Sequence, residues 1–420
     1  MGATAVEELE LARYVRPGDT VAWGQACAEP TSLTQLLMRQ RADIGRFRCF
    51  LGIPVSDTVR PEHADHVSFV SYTAGGSNRA LYDAGTLDIV PCHYSVLPRL
   101  LCAGPLRADV ALLQLAPTGR PGIYSLGAGD DYLSAAIDTA RVVLAEVNEQ
   151  APCTAGSREV REDELDLVVH TSREPAYVEP SSPGETARRV AREVASLVPD
   201  GATLQCGVGA LPDAVLAELG ERTDLGIHTG LLSDAAADLI AAGVVTNARK
   251  SLDRGRTVAG MLMGSRRVAE LADTNPAITL RETGYTHDPG VLAALDGLVA
   301  INTALEVDLT GQTNAEEVGG SYVGAVGGAV DFLRGAARAR GGLPVVALPA
   351  TAGERSRIVA RLGGPVTTPR CDAGVVVTEY GVADLRGVPL AERVERMLAI
   401  AHPDHRQALA EAAESSGGRS

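Results

Sequence analysis

The chain has 420 residues, 45% of them hydrophobic, which is the composition of a packed globular protein too long for one ordinary core. Its 53 acidic residues outnumber its 38 basic ones, and the formal net charge of −15 argues against nucleic acid and anionic lipid as partners. No apolar run approaches the roughly 18 residues that a membrane span requires. Lys250 is the only lysine, so arginine supplies nearly all of the positive charge.

The seven cysteines are scattered along the chain, and no two of them have a Cys-x-x-Cys spacing. This pattern disfavours a disulfide framework and a zinc site, and it suits a reducing compartment. The first residues carry acids at Glu7, Glu8 and Glu10, where a secretory signal would carry bases. We therefore expect a cytoplasmic protein without a metal.

Short apolar runs alternate with helical stretches through the first part of the chain. The pattern predicts strands at 47–53, 67–72, 87–90, 110–115 and 142–147, and helices at 33–41, 78–83 and 132–140. Such alternation is typical of an α/β protein with a mostly parallel sheet covered on both faces. The segment 151–182 is rich in Pro, Ser and charge, which indicates a connection between an α/β domain at 1–182 and another at 183–420.

An internal echo supports two related domains. Residues 15–30, VRPGDTVAWGQACAEP, are similar to residues 198–212, VPDGATLQCGVGALP. Each reads as a helix end, a turn, a strand, a glycine and the Pro-containing start of a helix. Chance similarity of two strand–helix units is the alternative.

The second part of the chain is organised around residues 203–250. They read as a strand, a turn at Gly207-Val208-Gly209, a helix, and a second strand that ends at His228-Thr229-Gly230. Ligands bind at the carboxyl ends of strands in open α/β sheets, so we expect the chemistry there. A dinucleotide site is disfavoured because a third glycine and an acidic end to the next strand are both missing.

Later elements add further polar strand ends. A helix is predicted at 184–197, strands at 258–262, 297–302, 344–348 and 373–378, and a helix at 391–400. Asn302 and Glu379 follow two of these strands, and a second glycine loop occupies 324–328. Each polar residue has a structural alternative, since Asn302 can cap a turn, Glu379 can pair with Arg386, and His228 can be a core histidine. Together with the two loops they favour a site.

Several motifs resemble the acetyl-CoA hydrolase/transferase family, particularly its 4-hydroxybutyrate CoA-transferase branch, from about Val15 to the helix past His402. The matching motifs are PGIYSLG (121–127), AEVN (145–148), LQCGVGALPDAV (204–215), LGIHT (225–229), GVVTN (243–247), EVDLTGQTNAE (306–316), GGAVDFLRGA (327–336), TEYGVADLRG (378–387) and AHPDHR (401–406).

The resemblance implies two similar open α/β domains with the active site between them, a homodimer, and coenzyme A bound as the acyl-CoA substrate. The family's glutamate attacks the thioester and becomes a glutamyl-CoA intermediate during CoA transfer between carboxylates. That glutamate directly follows the His-Thr pair, and this chain has Gly230 there. Because glycine has no side chain, the intermediate cannot form at this position.

Other family positions are kept. By resemblance, Val208 and Gly209 form the oxyanion loop with His228 nearby, and Asn302 and Glu379 line the acyl and carboxylate pocket. The family's CoA-binding loop is matched by Gly327, Gly328 and Ala329. Within this loop, Ala325 stands where the family commonly has Gly, and Ala329 where it commonly has Gln or Ser.

Three hypotheses follow from this combination. In the first, the enzyme passes the acyl group of acyl-CoA to water or to an amine, alcohol or carbanion, with Glu379 as general base. In the second, ordinary CoA transfer proceeds through a substitute nucleophile, for which Glu29, Glu282, Glu306 and Cys206 are available. In the third, the protein is an acyl-CoA-binding subunit without catalysis. The small residues around Gly230 predict extra room, where the glutamate side chain would have been, for a bulky acyl group or acceptor.

Overall fold

The computed structural model describes residues 6–180 and 182–416. The chain forms two compact units. Unit 1 comprises Met1–Glu179, Gly230–Asp234 and Thr257–Thr286, and unit 2 comprises Pro180–Thr229, Ala235–Arg256 and His287–Ser420. The division at residues 182 and 183 stays a prediction.

The strands, numbered in chain order, are β1 (Thr20–Trp23), β2 (Phe47–Leu51), β3 (Val67–Ser71), β4 (Leu87–Ile89), β5 (Val110–Pro117), β6 (Ile123–Ser125), β7 (Val142–Asn148), β8 (Glu159–Arg161), β9 (Leu167–Thr171), β10 (Thr203–Cys206), β11 (Gly226–Ile227), β12 (Leu231–Leu232), β13 (Thr257–Ala259), β14 (Met261–Leu262), β15 (Ile278–Leu280), β16 (Leu298–Thr303), β17 (Glu306–Asp308), β18 (Thr313–Asn314), β19 (Glu317–Val318), β20 (Ser321–Tyr322), β21 (Leu343–Ala347), β22 (Thr351–Ala352), β23 (Arg355–Ser356), β24 (Ile358–Val359), β25 (Val375–Thr378) and β26 (Gly381–Asp384).

The α-helices are α1 (Thr31–Arg39), α2 (Arg41–Ile44), α3 (Asn78–Asp83), α4 (Leu97–Ala103), α5 (Leu133–Thr139), α6 (Glu185–Ser196), α7 (Ala210–Ala217), α8 (Asp234–Ala241), α9 (Arg266–Thr274), α10 (Thr283–Thr286), α11 (Pro289–Ala293), α12 (Ala329–Arg338), α13 (Leu390–Ile400) and α14 (Pro403–Ser416). Among the residues that the structure describes, no helix is both long and apolar enough to cross a membrane.

Unit 1 is built on a parallel sheet in the order β4-β3-β2-β1-β5-β7-β9. Its central strands are continuous apolar runs, and every residue of β7 is buried. Parallel strands have this pattern because helices cover both faces of their sheet. The core on one face includes Trp23, Leu37, Phe69 and Leu112.

Unit 2 is built on a second sheet in the order β11-β10-β16-β21-β25-β26, in which only β26 is antiparallel. Phe332 and Leu333 of α12 pack on this sheet with Ala300 and Val346. The predicted α/β class with mostly parallel sheets is therefore confirmed for both units. The two copies of the internal echo correspond to β1 with α1 and to β10 with α7, and a glycine follows the strand in each.

The predicted strand at 258–262 is wrong in one respect, because Gly260 divides it into β13 and β14. Gly260 N and Met261 N donate to Gly230 O at 3.1 and 3.2 Å. A Cβ on residue 260 would lie 2.8 Å from that oxygen, so only glycine allows this approach. The backbone at Gly230 is thereby tied to β14 within unit 1.

Glu146 joins four segments of unit 1 from a fully buried position on β7. Its carboxylate accepts from Ser32 N at 3.0 Å and from Arg173 Nε at 2.6 Å. Ser32 Oγ and Thr171 Oγ1 donate to it at 2.9 Å each. Every lone pair that faces the protein has a donor, which is what keeps a buried charge tolerable.

We predict that Glu146→Ala lowers the free energy of unfolding by about 3–5 kcal/mol, since it leaves the Arg173 guanidinium without its carboxylate. Urea denaturation followed by circular dichroism measures this change. Asp57→Asn breaks the exposed pair with Arg60 and serves as the matched control, for which no measurable change is expected. Equal losses in both variants would contradict a special role for the buried pair.

Candidate active site

The first glycine turn connects β10 to α7 in unit 2. Gly209 has φ +121°, a conformation that favours glycine, and it directly precedes the first residue of α7. The Val208 side chain between the two glycines is 47% exposed. The first amides of a helix lack intrahelical acceptors, so this turn presents backbone donors at the carboxyl end of β10.

Asn302 lies beside this turn, because β16 is the neighbour of β10 and Cys206 is in register with Ile301. Its amide forms a reciprocal pair with Gln205, with Nδ2 donating at 2.9 Å and Oδ1 accepting at 3.3 Å. Both side chains are buried. A Cβ at Gly207 would lie 3.6 Å from Asn302 Oδ1, so the amide borders the glycine turn. Gln205 holds the orientation of Asn302, and the alternative role as a turn cap is not observed.

The polar strand ends share one edge of the unit 2 sheet, since β11, β10, β16, β21 and β25 all run parallel. They do not all meet. Neighbouring strands are about 4.8 Å apart, so the ends of β16 and β25 are separated by roughly 10 Å and those of β11 and β25 by roughly 19 Å. Asn302 and the His228-Thr229 end of β11 therefore lie on the two strands next to β10 and its glycine turn, whereas Glu379 follows β25, three strands from β10.

Glu379 follows β25 and is almost buried. Its Oε2 accepts from Ala350 N at 2.8 Å, and its backbone oxygen accepts from the Arg189 guanidinium at 3.2 Å. The alternative pairing with Arg386 is not present, because that guanidinium binds Asp384 at 2.8 Å. The carboxylate is thus fixed by a backbone donor, as a positioned acid or base requires.

His228 is fully buried and belongs to a histidine pair in unit 2. Burial lowers the pKa of the His287 imidazole to about 3, and electrostatic interaction with His228 is the second, smaller cause. Next along the chain, Thr229 Oγ1 donates to Cys206 O at 3.2 Å. Burial of His228 agrees with a core histidine, and its neighbour Thr229 ties the end of β11 to the end of β10.

The second glycine loop leads into α12 of unit 2. Gly327 has φ +54°, and Gly328 is the N-cap residue before Ala329, the first residue of the helix. A Cβ at Gly324 would lie 2.0 Å from Ala315 O, so the loop packs closely on the segment before β19. The loop therefore places the first backbone amides of α12 at its end, and its role in CoA binding stays a prediction.

A buried polar cluster in unit 1 escaped the sequence analysis. Gln25 Nε2 donates to Asp131 Oδ2 at 2.8 Å and to the Tyr94 hydroxyl. Gln25 Oε1 accepts from the Tyr72 hydroxyl and from Ile53 N, both at 2.9 Å. In the internal echo Gln25 occupies the position of Val208, which is the signal that could have revealed it.

Asp130 and Asp131 follow Gly129 and connect this cluster to Gly230. Their amides donate to Gly260 O at 3.0 and 3.3 Å, and Gly260 N donates to Gly230 O. Burial raises the pKa of each carboxyl to about 6 against the lowering effect of its hydrogen bonds, which come from Ser134 and Gln25 respectively. Two carboxyls that titrate near pH 6 thus lie close in the hydrogen-bond network to the position of the missing glutamate.

In the residues that the structure describes, no group of three or more His, Cys, Asp or Glu side chains could hold a metal ion.

We predict that Asp131→Asn flattens the dependence of stability on pH. The pKa of the Asp131 carboxyl is raised from 3.8 to about 6 in the folded protein, so the native state keeps this proton to a higher pH than the unfolded state does. The stabilisation that results is fully present below pH 3.8 and is lost as pH rises through 6. About 2 pKa units amount to about 3 kcal/mol.

Urea denaturation between pH 5 and 7.5 measures this slope. The variant is less stable at pH 5, because one amide oxygen replaces the two oxygens that accept from Gln25 and Leu133. It should lose less stability than the wild type as pH rises. The exposed Asp88→Asn variant is the control and keeps the wild-type slope, and an unchanged slope in Asp131→Asn would refute the assignment.

The sequence and fold match known proteins over nearly the whole chain. Models of the acetyl-CoA hydrolase/transferase N-terminal and C-terminal domains match residues 4–178 and 264–413. The 4-hydroxybutyrate coenzyme A transferase of Clostridium kluyveri is 35% identical over 93% of this chain and 92% of that protein.

Solved structures agree with these matches. RipA from Yersinia pestis has a TM-score of 0.93 and 36% identity, and the match covers 98% of this chain and 97% of RipA. The 4-hydroxybutyrate CoA-transferase of Porphyromonas gingivalis has a TM-score of 0.84 and 34% identity, with coverage of 98% and 97%. From these full-length similarities we conclude that the chain belongs to the acetyl-CoA hydrolase/transferase family.

Proposed function

We propose that this protein binds an acyl-CoA and transfers its acyl group to water or to a non-carboxylate nucleophile, without a glutamyl-CoA intermediate. The observation that carries the proposal is Gly230, which stands where the family's glutamate follows the His-Thr pair. Other groups that the resemblance assigns to the site are present, since the glycine turn, the Gln205–Asn302 pair and Glu379 keep ordered contacts in unit 2. Family membership itself supports an enzyme that acts on CoA thioesters as a transferase or hydrolase.

In the proposed reaction the thioester oxygen is polarised by backbone donors of the turn at Val208 and Gly209, with the Asn302 amide lining the acyl pocket beside them. The acceptor forms a bond to the carbonyl carbon, and bound water relays its proton to Glu379, because the end of β25 lies three strands, roughly 14 Å, from that of β10. The carbon–sulfur bond then breaks, its electron pair goes to the CoA sulfur, and the proton passes to that thiolate.

The CoA arm is proposed to lie against the start of α12. Gly327, Gly328 and Ala329 supply the backbone there, and the helix N-terminus favours the partial negative charge of the departing sulfur. Because Ala329 is short and apolar, it contributes backbone donors and no side-chain hydrogen bond.

The structure argues against two of the substitute nucleophiles within unit 2. Desolvation raises the pKa of the Cys206 thiol far above its usual value, so the thiolate is scarce at neutral pH. Glu306 Oε1 already accepts from Gly363 N at 2.6 Å and from Asn314 Nδ2 at 3.0 Å. Neither side chain is prepared for attack on a thioester.

Glu29 in unit 1 is similarly engaged. Its Oε1 accepts from Thr34 Oγ1 at 3.0 Å and from Ser56 Oγ at 2.8 Å, and burial raises its pKa. A buried carboxyl whose oxygen already accepts two hydrogen bonds is a poor nucleophile. Glu282 is exposed and remains the acid that ordinary CoA transfer would need. Mass spectrometry after incubation with acyl-CoA tests this second hypothesis, because a covalent adduct on any residue would support it.

The third hypothesis, a non-catalytic acyl-CoA-binding subunit, makes a different prediction. It requires tight CoA binding without CoA release from any thioester. A panel of acyl-CoAs of increasing bulk, assayed with a thiol reagent, separates binding from turnover. The same panel tests whether the glycine at position 230 leaves room for an acyl group or acceptor larger than acetate.

A cytoplasmic homodimer is also proposed, from the family resemblance and from the seven free cysteines, which suit a reducing compartment. Light scattering on the purified protein measures the oligomeric state, and a mass of one chain would contradict the dimer.

We predict that Glu379→Gln lowers kcat at least about 100-fold while CoA binding is kept, because the amide can still accept from Ala350 N but cannot take a proton. Steady-state CoA release and calorimetric CoA binding measure the two effects. Glu354→Gln makes the same substitution at an exposed position and should behave as the wild type. An undiminished rate in Glu379→Gln would reject the general base.

We predict that Gly230→Glu gains CoA exchange between an acyl-CoA and a carboxylate. The substitution restores the carboxylate that the family carries directly after the His-Thr pair. Exchange is followed with isotopically labelled carboxylate, and Gly230→Gln is the matched control without a nucleophile. Exchange in the wild type at the rate of the variant would contradict the proposal.

A further inference from the structure

The edge of the unit 2 sheet ends at β11, which pairs with β10 on one side only. On that side Gly226 N donates to Ala202 O at 2.8 Å. His228 N donates to Leu204 O at 3.0 Å. Because the backbone groups of successive residues point to opposite sides of a strand, the N–H and C=O of Ile227 face away from β10, where no strand follows.

Two side chains take the place of that missing strand. Asn247 Oδ1 accepts from Ile227 N at 2.9 Å. Lys250 Nζ donates to Ile227 O at 2.9 Å and to Arg256 O at 2.8 Å. The loop that carries both residues is closed by Gly255 N, which donates to Asn247 O at 2.9 Å. Both outward groups of Ile227 are therefore satisfied by this loop.

Lys250 is 4% exposed, which is unusual for the only lysine of an arginine-rich chain. Burial lowers the pKa of its amine to about 8 against the raising effect of Asp253. The stem packs so closely on Gly226 that a Cβ there would lie 2.6 Å from Lys250 Cγ. A compact ammonium fits between two carbonyls where the planar guanidinium of arginine needs more room.

We propose that Lys250 and Asn247 are positioning residues that fix the end of β11 and thereby the placement of His228 and Thr229 at the carboxyl edge of the sheet. Neither is a catalytic residue, because the atoms of Lys250 that donate bind only backbone carbonyls. The effect on β11 stands independently, whereas the effect on turnover rests on the proposed function. A displacement of about 1 Å at a reacting group costs up to about 100-fold in rate.

The test uses Lys250→Met, which keeps the length of the side chain and removes its donors. Hydrogen exchange by mass spectrometry is expected to show faster exchange in peptides that cover residues 225–231, and unchanged exchange in peptides of β16 and β21. If the enzyme turns over acyl-CoA, kcat should fall at least about tenfold with little change in the affinity for CoA. Arg256→Gln, which changes an exposed side chain of the same loop and keeps the backbone carbonyl that accepts from Lys250, should leave both measurements at the wild-type level.

Variants at Asn247 supply an independent arm, also in case Lys250→Met fails to fold. Asn247 has φ +56°, which glycine adopts freely, so Asn247→Gly removes the acceptor without backbone strain. Asn247→Asp keeps an oxygen for Ile227 N and should retain the protection and the rate that Asn247→Gly loses.

The outcomes separate the two proposals. Faster exchange at 225–231 in a protein that releases no CoA would uphold the positioning role and remove the proposed function. Unchanged local exchange and unchanged kcat in both Lys250→Met and Asn247→Gly would overturn the positioning role, whatever the reaction proves to be. Loosening across the whole of unit 2 would also overturn it, because a general structural role predicts that result.

Discussion

The parallel pairing of β10 with β16 is the interaction on which the candidate site in unit 2 depends. Its register sets Cys206 opposite Ile301, so the turn after β10 and the residue after Ile301 emerge side by side. The reciprocal amide bonds of Gln205 and Asn302 then lock the two strand ends together. A shift of one residue would turn every side chain of β10 to the other face and remove the contact. The geometry of the candidate site is therefore a property of strand register before it is a property of any single side chain.

The molecule keeps unusual protonation states in both units, and burial causes each of them. His287 is held neutral, the Cys206 thiol is held protonated, and Asp130 and Asp131 titrate near pH 6. In each case removal of water disfavours the charged form more than the available hydrogen bonds restore it. The two aspartates change charge near pH 6, and hydrogen bonds through Gly260 link them to Gly230, the position of the family's glutamate.

The sequence predicted the elements with strong periodicity and missed features that depend on distant partners. The helix at Asn78–Asp83 agrees with its prediction at both ends, and the strand expected at 142–147 is longer by one residue. The strand expected at 258–262 was divided because Gly260 approaches Gly230 O, which no local pattern reveals.

The polar strand ends show the same limit at the level of the site. Alternation of strands and helices predicts that they share an edge, and they do, but strand order decides which of them touch. Order is set by long-range pairing, so the places of His228 and Asn302 on either side of the glycine turn, with Glu379 farther along the edge, emerge only once the sheet is known. The Gln25 cluster was missed because its partners Tyr72, Tyr94 and Asp131 lie between 47 and 106 residues away in sequence.

The burial of Lys250 has a chemical consequence for a protein that handles activated acyl groups. Unprotonated primary amines attack thioesters, and exposed lysines are the usual place where proteins are acylated in this way. Apart from Lys250 and the histidines, every basic side chain of this protein is an arginine, whose guanidinium stays protonated and does not react with thioesters. The surface of this molecule therefore presents no lysine amine to the reactive bond of the substrates on which its relatives act.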